Sequence, residues 1–270
     1  NMFYGCVALT RLNISELCVF PNEIFRECRA LCYFNGAGSE QGTAIIADGT
    51  TTISYKAFNE CNNLIKIYLP DTLISLANNV FDNCQGLQEI YFGNSISSVG
   101  TSCFYKCTGL NKVVVPSLEV WLNITWGNFE SNPVSFAHKL YVNDTLVTSA
   151  DFTGKTAINS YVFAGLTNLI SVTIPNTITE IGNSAFQGCD NLVIADLNLP
   201  NLATLGSYAF SGTKLQAISS LGIIVSLSQG CFRDCTQLAN AIIPSTSTII
   251  PKECFDNCLS ITSVDLPSSV

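Results

Sequence analysis

The chain has 270 residues, 47% of them hydrophobic and only 12% charged, with 12 Lys plus Arg against 20 Asp plus Glu for a net charge of −8. The isoelectric point near 4.5 argues against a nucleic-acid partner, because a phosphate backbone demands clustered basic side chains. No apolar run reaches the roughly 18 residues needed to span a bilayer, so no membrane insertion is expected, and residues 1–9 lack the basic stretch and long apolar run of a signal peptide.

Taken in chain order, the elements repeat. A Phe recurs at Phe3, Phe25, Phe58, Phe81, Phe104, Phe163, Phe186, Phe210, Phe232 and Phe255, mostly at steps of 22 to 24 residues. Five places before it stands an apolar residue (Ile53, Leu76, Val99, Ile181), and just before it a small or aliphatic one (Ala57, Val80, Ala185). Six places after it comes a Leu (Leu64, Leu87, Leu192), then an alternating stretch such as Ile67 and Leu69, and a Pro such as Pro70, Pro116 or Pro175 closes the unit. The alternation over residues 64–69 predicts a short strand with one buried face, which the Pro ends by withholding a donor. The Phe segment is too short for a long helix, and a single helical turn is expected there. One unit cannot bury its own apolar row, whereas stacked units join their rows into a continuous core. Ten clear units and one degenerate one predict a single solenoid over residues 1–270, of about 11 coils, with one parallel sheet.

Two stretches break the period. Residues 35–50, with Gly36, Gly38, Gly42 and Gly49, read as a surface loop without chemistry. Residues 117–160 read as an irregular insertion holding Trp121, Trp126 and the only histidine, His138. Within it, residues 118–122 suggest a short helix, 128–133 a loop, and 140–142 a repeat strand followed by a turn at Asn143-Asp144. The two tryptophans either fill a wider coil as core or face a ligand from an insertion carried on a rigid scaffold. The chain also starts and stops within a unit, and solenoids need terminal caps, so either a fragment of a longer protein or caps supplied by neighbouring molecules are expected.

Residues 181–192 (Ile-Gly-Asn-Ser-Ala-Phe-Gln-Gly-Cys-Asp-Asn-Leu) and 99–110 (Val-Gly-Thr-Ser-Cys-Phe-Tyr-Lys-Cys-Thr-Gly-Leu) resemble the BspA-like leucine-rich repeat. The resemblance covers nearly the whole chain. It implies a right-handed leucine-rich-repeat solenoid of the α/β horseshoe class, mainly β, with a parallel sheet of short strands and short helical turns or irregular chain opposite. It also implies a place on surface proteins of mouth and gut bacteria or of some parasitic protists, where adhesion is the usual role. Such repeats share no catalytic residues, so none is carried over.

Eight of the 13 cysteines stand three places after the Phe (Cys6, Cys28, Cys61, Cys84, Cys107, Cys189, Cys235, Cys258), and Cys103, Cys231 and Cys254 stand just before it. Elsewhere these slots hold Leu166, Thr213, Ala or Val, so the thiols are expected to fill volume and to stay mostly reduced. Disulfides between neighbouring coils are the alternative. Zinc is not expected, since the spacing leaves three intervening residues and histidine partners are lacking. No metal, cofactor or catalytic residue is expected: His138 is alone, phosphate-binding Gly-rich loops are missing, and no acid pair stands out.

Side chains alternate across a strand, which turns the residues eight and ten after each Phe outward. These are Lys66 and Tyr68, Glu89 and Tyr91, and Lys112 and Val114, followed by Ser171 and Thr173, Ile194 and Asp196, Asn240 and Ile242, and Ser263 and Asp265. Lys66, Tyr68, Glu89, Tyr91 and Lys112 are therefore the candidate contact patch, with Trp121 and Trp126 as its rim. The tyrosine pair has an alternative reading as a cross-strand stack that stabilises the sheet. The expected function is a cell-surface or secreted protein-binding or adhesion module with no catalytic activity, holding a protein ligand on a host or neighbouring cell; a glycan is the alternative ligand. The competing readings are a passive spacer, which would show bland Ser, Thr and Asn columns, and a carbohydrate-active enzyme, which would need converging acids in a cleft.

Overall fold

Each Phe-centred repeat folds into one coil of a parallel-strand solenoid, in a computed structural model that describes residues 2–12, 19–31, 33–34, 41–264 and 266–270. The coils group into two compact units, residues 1–146 and 147–270. Among the described residues, no helix is long and apolar enough to cross a membrane.

In the first unit, eight strands line up in the order Arg11–Leu12, Tyr33–Phe34, Thr43–Ile45, Lys66–Tyr68, Glu89–Tyr91, Lys112–Val115, Leu140–Val142 and Thr145–Leu146. Ala44, Ile67, Ile90, Val113 and Leu140 are in register and all buried, so the period-two pattern sets which face is core. Only the last pair is antiparallel: Asn143, at φ 53°, turns the chain back so that Thr145 pairs with Val142. Residues 43–45 form a strand where the sequence suggests part of a loop over 35–50; residues 35–40 lie outside the described ones. The strand forms because Ala44 is small enough to enter the core and Gly42 lets the chain pass close by. A Cβ on Gly42, whose φ is +83°, would sit 2.5 Å from Ile65 Cγ1.

The apolar residue five places before the Phe lies in a second, narrower parallel sheet, built from Thr52–Ile53, Ser75–Leu76, Ser98–Val99 and Thr125–Trp126. The expectation of one sheet is corrected here. Two-residue strands are too short to leave an alternation signal, yet stacking still pairs their backbones.

The Phe segment is a run of turns rather than the expected helical turn. Residues two before and two after the Phe are left-handed, as at Lys56 (φ 54°) and Glu60 (φ 62°) around Phe58, and at Asn79 (φ 58°) and Asn83 (φ 60°) around Phe81. Left-handed non-glycine residues break a helix and cost of order 1 kcal/mol each. Here the conformation turns alternate N–H groups toward the next coil: Lys56, Phe58 and Glu60 donate to the carbonyls of Asn78, Val80 and Asp82 at 3.2, 3.0 and 2.9 Å. The intervening N–H groups bond within the coil, as Asn59 does to Lys56 at 3.2 Å, so the backbone is satisfied in both directions.

Between these turns the rings stack. In the first unit the centroids of Phe3, Phe25, Phe58, Phe81 and Phe104 follow one another at 5.7, 5.4, 5.5 and 5.4 Å. In the second unit Phe163, Phe186, Phe210, Phe232 and Phe255 do so at 6.0, 5.4, 6.1 and 5.7 Å. Interior rings are fully buried, whereas Phe3 and Phe255 are partly exposed.

The cysteine column does more than fill volume. Cys28, Cys61, Cys84 and Cys107 donate their S–H groups to the carbonyls of Phe3, Phe25, Phe58 and Phe81 at 3.0, 3.2, 2.9 and 3.0 Å. Cys189, Cys235 and Cys258 do the same to Phe163, Phe210 and Phe232 at 3.1, 3.2 and 3.1 Å. Each thiol thus ties its coil to the one before. All eleven described cysteines carry free thiols in this structure.

The insertion closes the first unit. Its helix Leu118–Leu122 begins at Ser117, whose Oγ accepts from Val120 N at 3.3 Å, and Phe129–Ser131 make a 3-10 turn within the expected loop. In the second unit, strands Ala157–Ile158, Glu180–Ile181 and Thr204–Leu205 form the narrow sheet. The main sheet there breaks into pairs: Ser149–Asp151 with Ser171–Thr173, Val193–Ile194 with Lys214–Leu215, and Leu197–Asn198 with Ile218–Ser220. Ile194, expected outward, is buried while Val193 is exposed. This strand begins at Val193, seven residues after Phe186, whereas Lys66, Glu89 and Lys112 open theirs eight after the Phe, so the facing is shifted by one.

Candidate functional site

The outward face of the first unit's sheet carries two columns in register. In one, Arg11, Lys66, Glu89 and Lys112 face solvent at least in part while Thr43 is buried; the other reads Ile45, Tyr68, Tyr91, Val114 and Tyr141. Short parallel strands hold each side chain at the spacing of the coils. The β-branched and aromatic residues of the second column suit a pleated surface.

All five residues of the predicted patch come together. Tyr68 and Tyr91 stack with ring centroids 4.4 Å apart and planes 17° from parallel. Tyr91 donates its phenol to Glu89 Oε2 at 2.5 Å, and Glu89 Oε1 lies 3.4 Å from Lys66 Nζ. Burial first, and then the Glu89 carboxylate, push the Tyr91 phenol well above its ordinary range. It therefore stays protonated and donating. Lys112 Nζ lies 5.7 Å from the centroid of Tyr91 and 5.5 Å from that of Tyr141, within cation–π range of both. Val114, nearly buried, occupies the register position between the two rings and leaves room for the lysine to lie across.

Tyr141 is a patch residue that the sequence reading missed. The coil that carries it has no repeat Phe, so counting from the Phe never reached it. Its signal was the strand Leu-Tyr-Val itself, whose alternation places Tyr141 on the face opposite buried Leu140. Lys139 was missed for the same reason; it is exposed and stands next to Lys112 in register, one place before the Leu140–Val113 pair.

The two tryptophans do not join this surface. Trp121 is fully buried and Trp126 is 4% exposed; their ring centroids are 4.7 Å apart, and Trp121 meets the Phe92 ring edge-on at 6.1 Å. Buried rings reach no partner, so the packing matches their reading as core and removes them from the rim. His138 is exposed and left-handed at φ 57°, capping the four-residue helix Val134–Ala137. Among the described residues, no group of three or more His, Cys, Asp or Glu side chains is placed to hold a metal ion. The chemistry the face offers is non-covalent: aromatic area, cation–π contacts and charge.

Residues 33–136 and 156–270 match the BspA-type leucine-rich repeat region, in six copies. The chain belongs to that family. A solved structure agrees on the fold of this BspA-type repeat chain. A leucine-rich repeat protein from Eubacterium ventriosum superposes with a TM-score of 0.57 at 16% identity, over 96% of this chain and 78% of that one. A leucine-rich cell surface protein from Faecalibacterium prausnitzii gives a TM-score of 0.49 at 19% identity, over 97% of this chain and 74% of that one. No curated protein sequence matches the chain significantly.

Proposed function

We propose that this BspA-type repeat chain is a cell-surface or secreted binding module that holds an acidic segment of a protein ligand on the outward face of the first unit's sheet. Lys66, Tyr68, Glu89, Tyr91 and Lys112 form the contact patch, and Tyr141 and Lys139 extend it. The observation that carries this reading is Lys112 set between two tyrosine rings, beside the Tyr68–Tyr91 stack. A passive spacer needs no such concentration of aromatic and charged groups, and interfaces favour Tyr because it buries much area at low entropic cost.

Charge supports the ligand's chemistry. The chain as a whole is at −8, yet Arg11, Lys66, Lys112 and Lys139 gather along this face against Glu89. Lys66 and the Tyr91 phenol already occupy that carboxylate, while neither Lys112 nor Lys139 forms an ion pair among the described residues. An acidic, aromatic-bearing segment meets both columns at once.

The test uses a copolymer of Glu and Tyr as the probe, with poly-lysine and heparin alongside, in surface-plasmon binding to the chain. The Glu–Tyr copolymer is expected to bind, with affinity falling at least tenfold in Lys112→Glu and in Tyr68→Ala/Tyr91→Ala variants that keep their melting temperature. Heparin binding that exceeds the copolymer's and depends on the same residues would assign the face to a glycan instead. Binding by neither, or unchanged binding in both variants, would leave the spacer reading.

A further inference from the structure

The slot just before the repeat Phe is buried in every coil from Phe25 onward and holds Ile24, Ala57, Val80, Cys103, Val162, Ala185, Ala209, Cys231 and Cys254. Only the last two put sulfur in successive coils. Their Sγ atoms are 3.4 Å apart, and the residues are 0% and 2% exposed. Among the described residues no other two thiols lie within hydrogen-bonding reach. The cysteines three places after the Phe in these same coils are turned elsewhere: Cys235 donates to Phe210 O at 3.2 Å and Cys258 to Phe232 O at 3.1 Å.

The backbones on either side are already fixed. Phe232 N donates to Cys254 O at 3.1 Å, Gly230 N to Lys252 O at 3.1 Å and Asp234 N to Asp256 O at 2.7 Å. Stacked backbones at about 4.8 Å fall within the Cα separations that a disulfide spans, about 4.4–6.8 Å. Bonding requires the sulfurs to close from 3.4 Å to about 2.05 Å, a movement that side-chain rotation supplies without shifting the coils.

We propose that Cys231 and Cys254 are a disulfide-forming pair, a covalent staple between the coils of Phe232 and Phe255. A small-molecule disulfide such as oxidised glutathione is the oxidant. The thiolate of one cysteine attacks it, releasing one glutathione thiol and leaving a mixed disulfide. The second cysteine then attacks the protein sulfur of that mixed disulfide and releases the second glutathione. Two thiols lose two protons and two electrons, and the glutathione disulfide is reduced to two thiols. The contact with Cys231, and then burial, hold the Cys254 thiol far above the ordinary range. Thiolate is scarce in the closed coil, so exchange proceeds when the partly exposed Phe255 coil opens, and mild denaturant speeds it. Elsewhere in the column packing accepts Ile, Ala, Val or, at Cys103, a thiol with no cysteine in the adjoining slots; two cysteines in successive coils are what a staple requires.

The test oxidises the full chain with oxidised glutathione at pH 8, alkylates the remaining thiols under denaturing conditions, and maps peptides without reduction. The expected result is a single cross-linked species joining the peptides of Cys231 and Cys254, two hydrogens lighter than their sum. A rise in melting temperature should accompany it, reversed by dithiothreitol and absent from Cys231→Ala and Cys254→Val. Those replacements use side chains that the column already accommodates, so both variants are expected to fold. Recovery of both residues alkylated after oxidation, or a cross-link between Cys235 and Cys258 instead, would overturn the assignment.

Discussion

Tyr208 reaches past an entire coil to donate its phenol to Glu253 Oε2 at 2.9 Å, and the residue it passes over is Gly230. Gln229 Nε2 donates to the same phenol at 2.8 Å, and Arg233 Nη1 to the same carboxylate at 3.1 Å. A Cβ on Gly230 would lie 2.3 Å from Tyr208 Cε1, and its φ of +57° disfavours any side chain. Gly230→Ala should therefore expel the tyrosine ring and destabilise the chain by more than the roughly 1 kcal/mol of a left-handed alanine alone. In a Tyr208→Ala background the same substitution should cost only about 1 kcal/mol, because the clash is gone. Urea unfolding of the four proteins gives the coupling; additive effects would show that the ring and the glycine do not interact.

The ring ladder makes a graded prediction. Phe81 is fully buried between Phe58 and Phe104, whereas Phe255 is partly exposed with one ring neighbour. Phe81→Ala should cost about 3–5 kcal/mol, and Phe255→Ala clearly less. Equal losses in urea denaturation would mean that the ladder does not carry the core.

Buried thiols predict weakness to alkali. Burial is the largest cause that lifts Cys28 and Cys258 to about 11 and Cys103 and Cys235 to about 12, with Cys61, Cys84, Cys107 and Cys189 also raised. An unfolded thiol titrates near 8.5. Below that value both states hold the proton and the stabilisation is complete. Above it the unfolded chain loses protons that the folded chain keeps, so stability falls as pH rises toward the folded values. Each such thiol removes up to about 1.4 kcal/mol per pH unit in that window. Unfolding free energy measured in reductant should change little from pH 7 to 8 and fall steeply between pH 8.5 and 10. A flat profile to pH 10 would mean that the thiols are not protected.

Much of this architecture was readable in the residues because stacking magnifies a weak local signal: Phe58, Phe81 and Phe104 each say little alone, but their spacing says coil. The patch of Lys66, Tyr68, Glu89, Tyr91 and Lys112 followed from the same count, since a fixed period also fixes facing. What stayed hidden depends on relations between coils. The thiol of Cys84 reads in the sequence as a volume filler, and its bond to the carbonyl of Phe58 exists only once the coils are stacked. The left-handed residues at Lys56 and Asn79 leave no composition signature, because the slot accepts Lys, Asn, Ser, Tyr and Glu alike. Tyr141 was lost where the repeat Phe was lost, and Ile194 was misplaced where a strand begins one residue earlier in its coil.

The two tryptophans supply a test that separates core from contact surface. Trp126 Nε1 is buried with no hydrogen-bond partner among the described residues, which costs about 1–3 kcal/mol for an orphaned donor. Trp126→Phe removes that donor and opens a small cavity, two effects of opposite sign, so its net cost should stay within about 1 kcal/mol. Trp121 is fully buried and packs on both Phe92 and Trp126, so Trp121→Phe should cost about 2 kcal/mol or more through lost packing. Neither substitution should change binding of the Glu–Tyr copolymer, because neither ring reaches the sheet face. Calorimetry and binding on the same samples check both statements together. A Trp126→Phe variant that keeps its stability yet loses the copolymer would return this ring to the contact surface and redraw the patch around the insertion.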